Sequence, residues 1–225
     1  MKLSVVMPVY NERHTIRDIL SQVRAVDLEK EIVCVDDFST DGTWEILQEE
    51  AKNGTRVLRH SQNMGKGAAV RTGLERVEGD VVIIQDADLE YDPQDYHALL
   101  DPIRSGQAKV VYGSRFLGSR RDMAGLHSFG NQLVTATTNL LFGVALTDME
   151  TCYKVFTADV AGKIRLTSPR WGFDPEITAR ILKLGHRIHE VPINYRGREH
   201  SAGKKLSWKD GFTVMFTLLR CRLSD

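Results

Sequence analysis

A short apolar run that ends in two carboxylates constrains this chain more than any other feature. Val81 to Ile84 is continuously apolar and β-branched, and Gln85-Asp86-Ala87-Asp88 follows it directly. Such a run predicts a buried strand, and open α/β sheets bind ligands at the carboxyl ends of their strands. Two carboxylates at that position favour Mg²⁺ or Mn²⁺ bound together with substrate phosphates. A solvated turn in which an Asp caps the next helix explains the same residues.

The first half of the chain repeats one pattern, in which an apolar run is followed by a segment with helical periodicity. The apolar runs occur at residues 3–9, 31–35, 56–58, 81–84 and 109–112. Five strands that alternate with helices predict an α/β fold with a mainly parallel, doubly wound sheet.

The pattern changes after Arg115. We predict a helix over 128–142, a strand over 153–156, a helix over 174–184 with Asp174 as its N-cap, and a strand over 190–195 that Pro192 places at a sheet edge. A final amphipathic helix is predicted from apolar residues at helical spacing. They are Trp208, Phe212, Met215, Phe216 and Leu219. No repeat or linker interrupts the chain, so we expect one domain over 1–225.

The composition is that of a globular protein, with 42% hydrophobic and 27% charged residues. Residues 1–100 hold 11 Lys and Arg against 19 Asp and Glu, and the rest of the chain holds 19 against 11. This asymmetry predicts a metal-binding first half and an anion-binding second half. Three widely spaced cysteines, no signal peptide and no run of 18 apolar residues predict a cytoplasmic protein without a membrane span.

Polar residues follow four of the predicted parallel strands and should therefore meet at one edge of the sheet. They are Pro8 to Glu12, Asp36-Asp37, Asp86-Ala87-Asp88 and Gly113-Ser114-Arg115. A nucleotide-phosphate ligand explains this convergence, with Tyr10 stacking on a base and Asp37 accepting from a ring N–H or a ribose. The G-x-G-x-x-G and P-loop fingerprints of other nucleotide sites are absent. Lys66 lies at a predicted helix start, which favours anions, or is a plain surface lysine.

Taken together, these motifs resemble the inverting, metal-dependent GT-A glycosyltransferases of family 2. More narrowly, they are similar to the polyprenyl-phosphate (dolichol-phosphate) mannosyl- and glucosyltransferases. The resemblance runs from Val5 to about Phe216. Its further motifs are Val35-Asp36-Asp37 with Ser39 and Asp41-Gly42-Thr43, Asn63-Met64-Gly65-Lys66-Gly67, Thr147-Asp148, Tyr153-Lys154 and Phe173-Asp174-Pro175-Glu176.

The resemblance implies a GT-A fold and a set of site residues. Residues 1–115 would form the nucleotide-sugar half, and residues 116–225 the acceptor half with membrane-facing helices. The donor would be held by Pro8, Tyr10, Glu12, Asp37, Lys66, Gln85 and Asp86. Asp86 and Asp88 would coordinate Mg²⁺ or Mn²⁺ against the diphosphate. Arg115, Arg198 and a lysine of Lys204-Lys205 would bind the acceptor phosphate, with Asp88, Arg115 and Asp148 as the catalytic residues.

Two departures from the family pattern concern specificity. Phe38 replaces the small residue common in the Asp-Asp-x-Ser turn, which predicts a reshaped base pocket. Gly203-Lys204-Lys205-Leu206 replaces the Gly-x-Ser-Lys-Leu of mannosyl members, which leaves the sugar open. GDP-mannose, UDP-glucose and UDP-N-acetylglucosamine all remain candidate donors.

A phosphate acceptor also follows from elementary chemistry. A sugar hydroxyl needs a general base, whereas a phosphate monoester with a second pKa of about 6 is already largely ionised near neutral pH. Arginines of the basic half suit its binding. We therefore interpret Asp148 as orienting the sugar or an arginine, with a capping role equally open. Asp148 as the base for a hydroxyl acceptor and a non-catalytic nucleotide-sugar binding module are the alternatives.

The acceptor also sets the expected partners. A polyprenyl phosphate must be reached at a membrane, so we predict that helix 128–142 and the terminal helix lie on its cytoplasmic face. Lys209, Arg220 and Arg222 would meet lipid head groups there. The apolar residues of these helices are otherwise core. A separate membrane-protein partner is a further possibility, and we expect no nucleic acid partner.

Overall fold

The computed structural model describes residues 1–118, 120–121, 125–168, 170, 172–197 and 208–223. The first half alternates strands and helices as predicted. Its elements are β1 (Leu3–Val9), α1 (Ile16–Ala25), β2 (Lys30–Asp36), α2 (Thr43–Ala51), β3 (Arg56–Arg59), α3 (Lys66–Leu74), β4 (Val81–Ile84), a 3₁₀ turn (Pro93–Asp95), α4 (Tyr96–Arg104) and β5 (Val110–Ser114).

The second half contains longer helices and shorter strands. Its elements are β6 (Arg120–Arg121), α5 (Gly125–Phe142), β7 (Lys154–Thr157), α6 (Ala158–Ala161), α7 (Phe173–Lys183), β8 (Ile188–Pro192), β9 (Tyr195–Arg196) and α8 (Trp208–Leu223). Helix α5 begins three residues before the predicted start, and the predicted strand over 190–195 is divided between β8 and β9.

A seven-stranded sheet in the order β3-β2-β1-β4-β7-β5-β8 organises the chain. All neighbouring pairs are parallel except those of β7, which runs antiparallel to β4 and to β5. The predicted mainly parallel α/β fold is confirmed, and β8 with Pro192 lies at a sheet edge as expected. The reversal of β7 matters for the site. Because β7 starts where β4 and β5 end, residues 147–153 lie at the carboxyl edge of the sheet.

The sheet core is built from the apolar runs that the sequence shows. All four residues of β4 are at most 1% exposed, and complete burial of each such side chain stabilises the fold by about 1.5–3 kcal/mol. Helix α3 packs closely on β1 at Gly73, where a Cβ atom would lie 2.5 Å from Cγ1 of Val6. This close contact fixes Lys66, at the start of α3, beside the ends of β1 and β4.

One local prediction in the second half is wrong. Gly172, not Asp174, is the N-cap of α7. The Asp174 side chain instead accepts a hydrogen bond from Nζ of Lys154 at 2.6 Å, and Lys154 is wholly buried in β7. Burial of the lysine explains the difference, because a buried ammonium needs a carboxylate partner more than a helix needs a capping group.

Helices α5 and α8 pack against each other and leave apolar side chains exposed. The buried residues of α8 include Val214 and Leu218, whereas Phe216 and Leu219 of the predicted stripe are 67% and 44% exposed. The side chains of Trp208 and Phe212 lie outside the described part. Within the described ranges, no helix has the length and apolarity that a bilayer crossing requires.

Candidate active site

A pocket of about 300 Å³ opens at the carboxyl ends of β1, β2 and β4. Seven residues predicted from the sequence meet there: Pro8, Tyr10, Glu12, Asp37, Lys66, Asp86 and Asp88. The other lining residues are Val9, Asn63, Gly65, Ala69, Ala87 and Arg170. The fold brings the seven predicted groups together although they are separated by up to 80 positions in sequence.

The two carboxylates after β4 have different surroundings. Asp86 Oδ1 lies 2.8 Å from Nζ of Lys66. Burial opposes ionisation of Asp86, but Lys66 outweighs it and lowers the pKa of that carboxyl, while the pKa of Lys66 is raised well above its ordinary value. The pair is therefore charged at neutral pH. Asp88 is partly exposed and accepts from the backbone N–H of Glu90 at 3.1 Å.

Asp37 holds one side of the pocket in place. Its carboxylate accepts hydrogen bonds from the backbone N–H groups of Met64 and Gly65 at 2.8 and 2.6 Å, and it lies 2.7 Å from Nδ1 of His60. Asp37 thus fixes the loop that leads into α3 and Lys66. A nucleotide at this edge would meet the carboxylate together with the loop that it organises.

Two predicted contributors to the donor pocket are not brought to it. Gln85 is fully buried, and its Oε1 accepts from the hydroxyls of Tyr96 and Tyr153 at 2.7 and 2.8 Å. Strand alternation explains this difference, because adjacent residues of a strand point to opposite faces. Phe38 has a φ of 66° and its ring lies 5.5 Å from the Arg59 guanidinium, and it is absent from the described pocket lining.

Arg115 and Asp148 form a buried bidentate pair next to the carboxyl end of β5. Nε and Nη2 of Arg115 each donate to a different oxygen of Asp148 at 2.7 Å, and the Arg115 backbone N–H donates at 3.0 Å. Burial disfavours the charged guanidinium, but the nearby acidic groups raise the pKa of Arg115 well above its ordinary value. Asp148 is 0% exposed, and this contact is the geometry that orienting an arginine requires.

Glu150 and Arg170 lie in or near the site, and the sequence assigned a role to neither of them. Burial raises the pKa of Glu150 to about 7, and its Oε1 has no hydrogen-bond partner among the described residues. Arg170 lines the pocket from the segment between α6 and α7. Glu150 is an acidic residue two positions after Asp148, which makes it a candidate from the sequence but gives it no role. No local spacing connects Arg170 to Asp88, so no sequence signal identifies Arg170. Arg198, Lys204 and Lys205, predicted for the acceptor phosphate, lie outside the described residues.

Comparison with known proteins agrees with this geometry. The glycosyl transferase family 2 model matches residues 4–158. A low-salt glycan biosynthesis hexosyltransferase, Agl6, of Haloferax volcanii is 35% identical over 224 residues, which cover 96% of this chain and 53% of the relative. An undecaprenyl-phosphate mannosyltransferase of Micrococcus luteus is 31% identical, covering 91% of this chain and 87% of the relative.

A similar solved structure is glucosyl-3-phosphoglycerate synthase from Mycobacterium tuberculosis, in complex with Mn²⁺, UDP and glucosyl-3-phosphoglycerate. It superimposes with a TM-score of 0.75 at 24% identity, covering all of this chain and 81% of the other. At this identity the likeness concerns the fold, and it confirms the predicted GT-A fold. The chain spans about half the length of the Haloferax relative.

Proposed function

The chain belongs to glycosyl transferase family 2, and we propose that it moves a hexose from a nucleotide-diphosphate sugar to a polyprenyl phosphate at a membrane surface. The pocket at the ends of β1, β2 and β4 supports a nucleotide-diphosphate donor, because Tyr10 and Glu12 line it together with Lys66 and the carboxylates of Asp86 and Asp88. The Micrococcus relative is named for an undecaprenyl-phosphate acceptor, which supports the acceptor class.

The burial and hydrogen bonds of Asp148 indicate which class of acceptor the site suits. Its carboxylate is fully buried and accepts three hydrogen bonds from Arg115. A carboxylate engaged in this way is a poor general base, because its lone pairs already bind donors and its charge is balanced. A phosphate acceptor needs no base near neutral pH. The geometry therefore favours phosphate over a sugar or protein hydroxyl.

A divalent cation fits the residues at the end of β4. Asp86 and Asp88 offer hard oxygen ligands in a pocket sized for a small molecule. Among the described residues no group of three or more His, Cys, Asp and Glu could hold a metal by itself, which suits a cation that takes its other ligands from a diphosphate and water. Mg²⁺ or Mn²⁺ would neutralise negative charge on the leaving diphosphate.

The reaction then needs mainly positioning from the protein. An oxygen of the acceptor phosphate forms a bond to C1 of the sugar while the bond from C1 to the diphosphate breaks, which inverts the anomeric centre. Arg115, fixed by Asp148, would orient the acceptor phosphate near C1, and we propose the same role for Arg198 and Lys205. Holding both reactants in line lowers the entropic part of the barrier.

The exposed apolar residues of α5 and α8 support a position at the membrane surface. Leu140 on α5 is 85% exposed, and Phe216 and Leu223 on α8 are 67% and 84% exposed. Arg220 and Arg222 lie on the same helix and are exposed, which suits contact with anionic head groups. We propose peripheral attachment to the cytoplasmic face. A separate membrane-protein partner stays a prediction, as does the division at residue 115.

Transfer of label into lipid tests this proposal. The protein is incubated with radiolabelled GDP-mannose, UDP-glucose or UDP-N-acetylglucosamine, MnCl₂, and vesicles containing a polyprenyl phosphate. We expect label in the organic phase with one donor and none with Asp88→Asn. Label that stays in the aqueous phase with every donor, with Mn²⁺ and with Mg²⁺, would contradict the lipid acceptor.

A further inference from the structure

We infer that Arg170 binds the donor diphosphate and that the acceptor half supplies this contact to the pocket of the nucleotide half. Of the described residues that line the pocket, Arg170 is the only one from beyond residue 115. It comes from the segment between α6 and α7 and lines the same pocket as Asp86 and Asp88. The inference rests on the proposed function, because it names a further contact to the same donor.

The charges in the pocket indicate why such a contact is needed. Four carboxylates line the described pocket, on Glu12, Asp37, Asp86 and Asp88, together with two cationic side chains. One of these, Lys66, is paired with Asp86 at 2.8 Å. Even with a divalent cation bound to the aspartates, an added diphosphate would leave the pocket negatively charged. The planar guanidinium of Arg170 suits this excess, because it can donate two parallel hydrogen bonds to phosphate oxygens.

Three described residues of this segment, Leu166, Ser168 and Arg170, contact three neighbouring elements. Arg71 on α3 donates to the carbonyl of Leu166 at 3.2 Å, and Arg220 on α8 donates to Oγ of Ser168 at 3.2 Å. On the other side, the Arg170 carbonyl accepts from the N–H of Phe173, the first residue of α7, at 3.1 Å. These contacts hold Leu166, Ser168 and the Arg170 carbonyl in place before a ligand binds, and such preorganisation lowers the entropic cost of binding.

Glu176 on α7 is the main anchor of this segment. It is 0% exposed, and its carboxylate accepts from the backbone N–H groups of Thr167 and Ser168 at 2.9 and 2.6 Å and from the Thr167 hydroxyl at 2.7 Å. Burial works against the charged carboxylate, but these donors lower the pKa of Glu176 below its ordinary value. Glu176 is therefore a positioning residue that acts on the donor through Arg170.

Nucleotide titration by calorimetry tests the role of Arg170. UDP, GDP, uridine and guanosine are titrated into wild type and Arg170→Ala, with MnCl₂ and separately with EDTA. We expect Arg170→Ala to weaken binding of the preferred diphosphate by about 10- to 100-fold, as loss of a charge-assisted hydrogen-bond pair does. Binding of the nucleoside should change by less than about twofold, because it carries no phosphate. The loss should persist in EDTA if Arg170 contacts the phosphates directly.

Three further variants distinguish the loss of a phosphate contact from a disturbed fold. Arg165→Ala is the matched control, since Arg165 is an exposed arginine of the same segment that donates to the Gly162 carbonyl and does not line the described pocket. It should bind both diphosphates like wild type. Glu176→Gln should weaken diphosphate binding about 3- to 10-fold while leaving nucleoside binding unchanged. Arg170→Lys should recover part of the affinity, as an ammonium keeps the charge but not the bidentate geometry.

The results distinguish this inference from the proposed function. Diphosphate binding by Arg170→Ala within about twofold of wild type would overturn the role of Arg170 and leave the donor class standing. Equal losses of affinity for the diphosphate and the nucleoside would also overturn this role, because they would indicate a disturbed pocket. If the wild-type protein binds neither UDP nor GDP, that result would contradict both the proposed function and this inference.

Discussion

At the scale of single residues, the two carboxylates after β4 are not equivalent. Asp86 is paired with Lys66 at 2.8 Å, whereas Asp88 is a partly exposed residue that accepts from its own turn at Glu90. Removing the charge of Asp86 leaves the Lys66 ammonium without its partner, which destabilises the fold. Asp88→Asn keeps a side-chain oxygen that can accept from the Glu90 N–H, so we expect it to cost the fold less than the loss of the Asp86 charge. The two substitutions should therefore separate stability from activity.

For Asp88→Asn we expect sugar transfer to fall by more than about 100-fold, because the proposed ligand to the divalent cation is lost. Its urea unfolding midpoint should fall by less than that of Asp86→Asn. Asp86→Asn should lose transfer as well and should also unfold at lower urea concentration, with a free energy of unfolding lower by about 1–3 kcal/mol. Initial rates of label transfer and urea titrations measure the two effects. Transfer by Asp88→Asn within about fivefold of wild type would contradict its role.

Glu150 gives the fold a pH dependence of its own. Burial raises its pKa to about 7, with Asp174 adding to the rise and Lys154 opposing it, whereas an unfolded glutamate titrates near about 4.3. Between these values the native state binds more protons than the unfolded state. Its contribution to stability is therefore full below the unfolded pKa and is lost as the pH rises to about 7.

Glu150→Gln should remove this dependence, because the amide stays neutral at every pH. Relative to wild type, the variant should gain stability between about pH 5 and about pH 8, by roughly 1.4 kcal/mol for each unit of pKa difference. Urea unfolding at both pH values measures this gain. Glu45→Gln, which changes an exposed glutamate of α2, is the control and should show no gain. A stability difference between wild type and Glu150→Gln that is the same at both pH values would count against the raised pKa.

The sequence predicts the position of a residue correctly where that residue directly follows a strand of the parallel sheet. Pro8, Tyr10, Asp37 and Asp88 reach the pocket because strand order alone places them there. The sequence does not predict the position of a side chain whose hydrogen-bond partners are distant along the chain. The side chain of Gln85 is directed to the core by Tyr96 and Tyr153, and no spacing along the chain reveals that hydrogen-bonded group.

At the scale of elements, the reversed strand β7 is the feature that sequence patterns could not supply. Its apolar residues predict a strand but not a direction, and four residues fit a parallel or an antiparallel partner equally well. The direction follows from tertiary packing, with Val82 opposite Phe156 and Tyr112 opposite Lys154. It brings Asp148, the bidentate partner of Arg115, to the edge of the sheet where β5 ends.

The terminal helix α8 yields a prediction about membrane attachment. Phe216→Ser combined with Leu219→Ser removes two exposed apolar side chains. We expect binding to anionic phospholipid vesicles to weaken by about 10-fold or more, because less apolar surface enters the lipid. The free energy of unfolding should stay unchanged, since both residues face away from the buried side of the helix. Co-sedimentation with vesicles measures the binding.

Two control variants test whether the loss of vesicle binding is specific to the exposed face of α8. Phe38→Ser removes another exposed aromatic side chain, 41% exposed, but from the nucleotide half, and it should leave vesicle binding unchanged. Val214→Ser changes a buried residue of α8 and should instead lower the unfolding temperature. Vesicle binding that survives the double substitution on α8 would mean that attachment uses another surface.

At the scale of the whole molecule, the acidic and basic halves of the sequence meet at one site. The acidic half supplies nearly all of the described pocket, and Arg170 of the basic half completes it. The charge asymmetry of the sequence therefore has a physical use in the proposed reaction, since a metal-bound donor and an anionic acceptor need opposite surroundings. A ligand that bridges both halves should stabilise the chain as a unit.

Thermal unfolding in the presence of nucleotide tests this coupling together with the metal. At a free concentration 100 times its Kd, a ligand that binds only the native state adds about 2.7 kcal/mol to its stability. For a chain of this size, that corresponds to a rise in Tm of about 5–10 °C. We expect such a rise with Mn²⁺ and the preferred nucleoside diphosphate together, and a smaller rise with either alone, because the carboxylates and the diphosphate would both bind the cation. Asp88→Asn should abolish the rise. An equal rise in EDTA would show that the diphosphate binds without a cation and would remove the metal from the proposed mechanism.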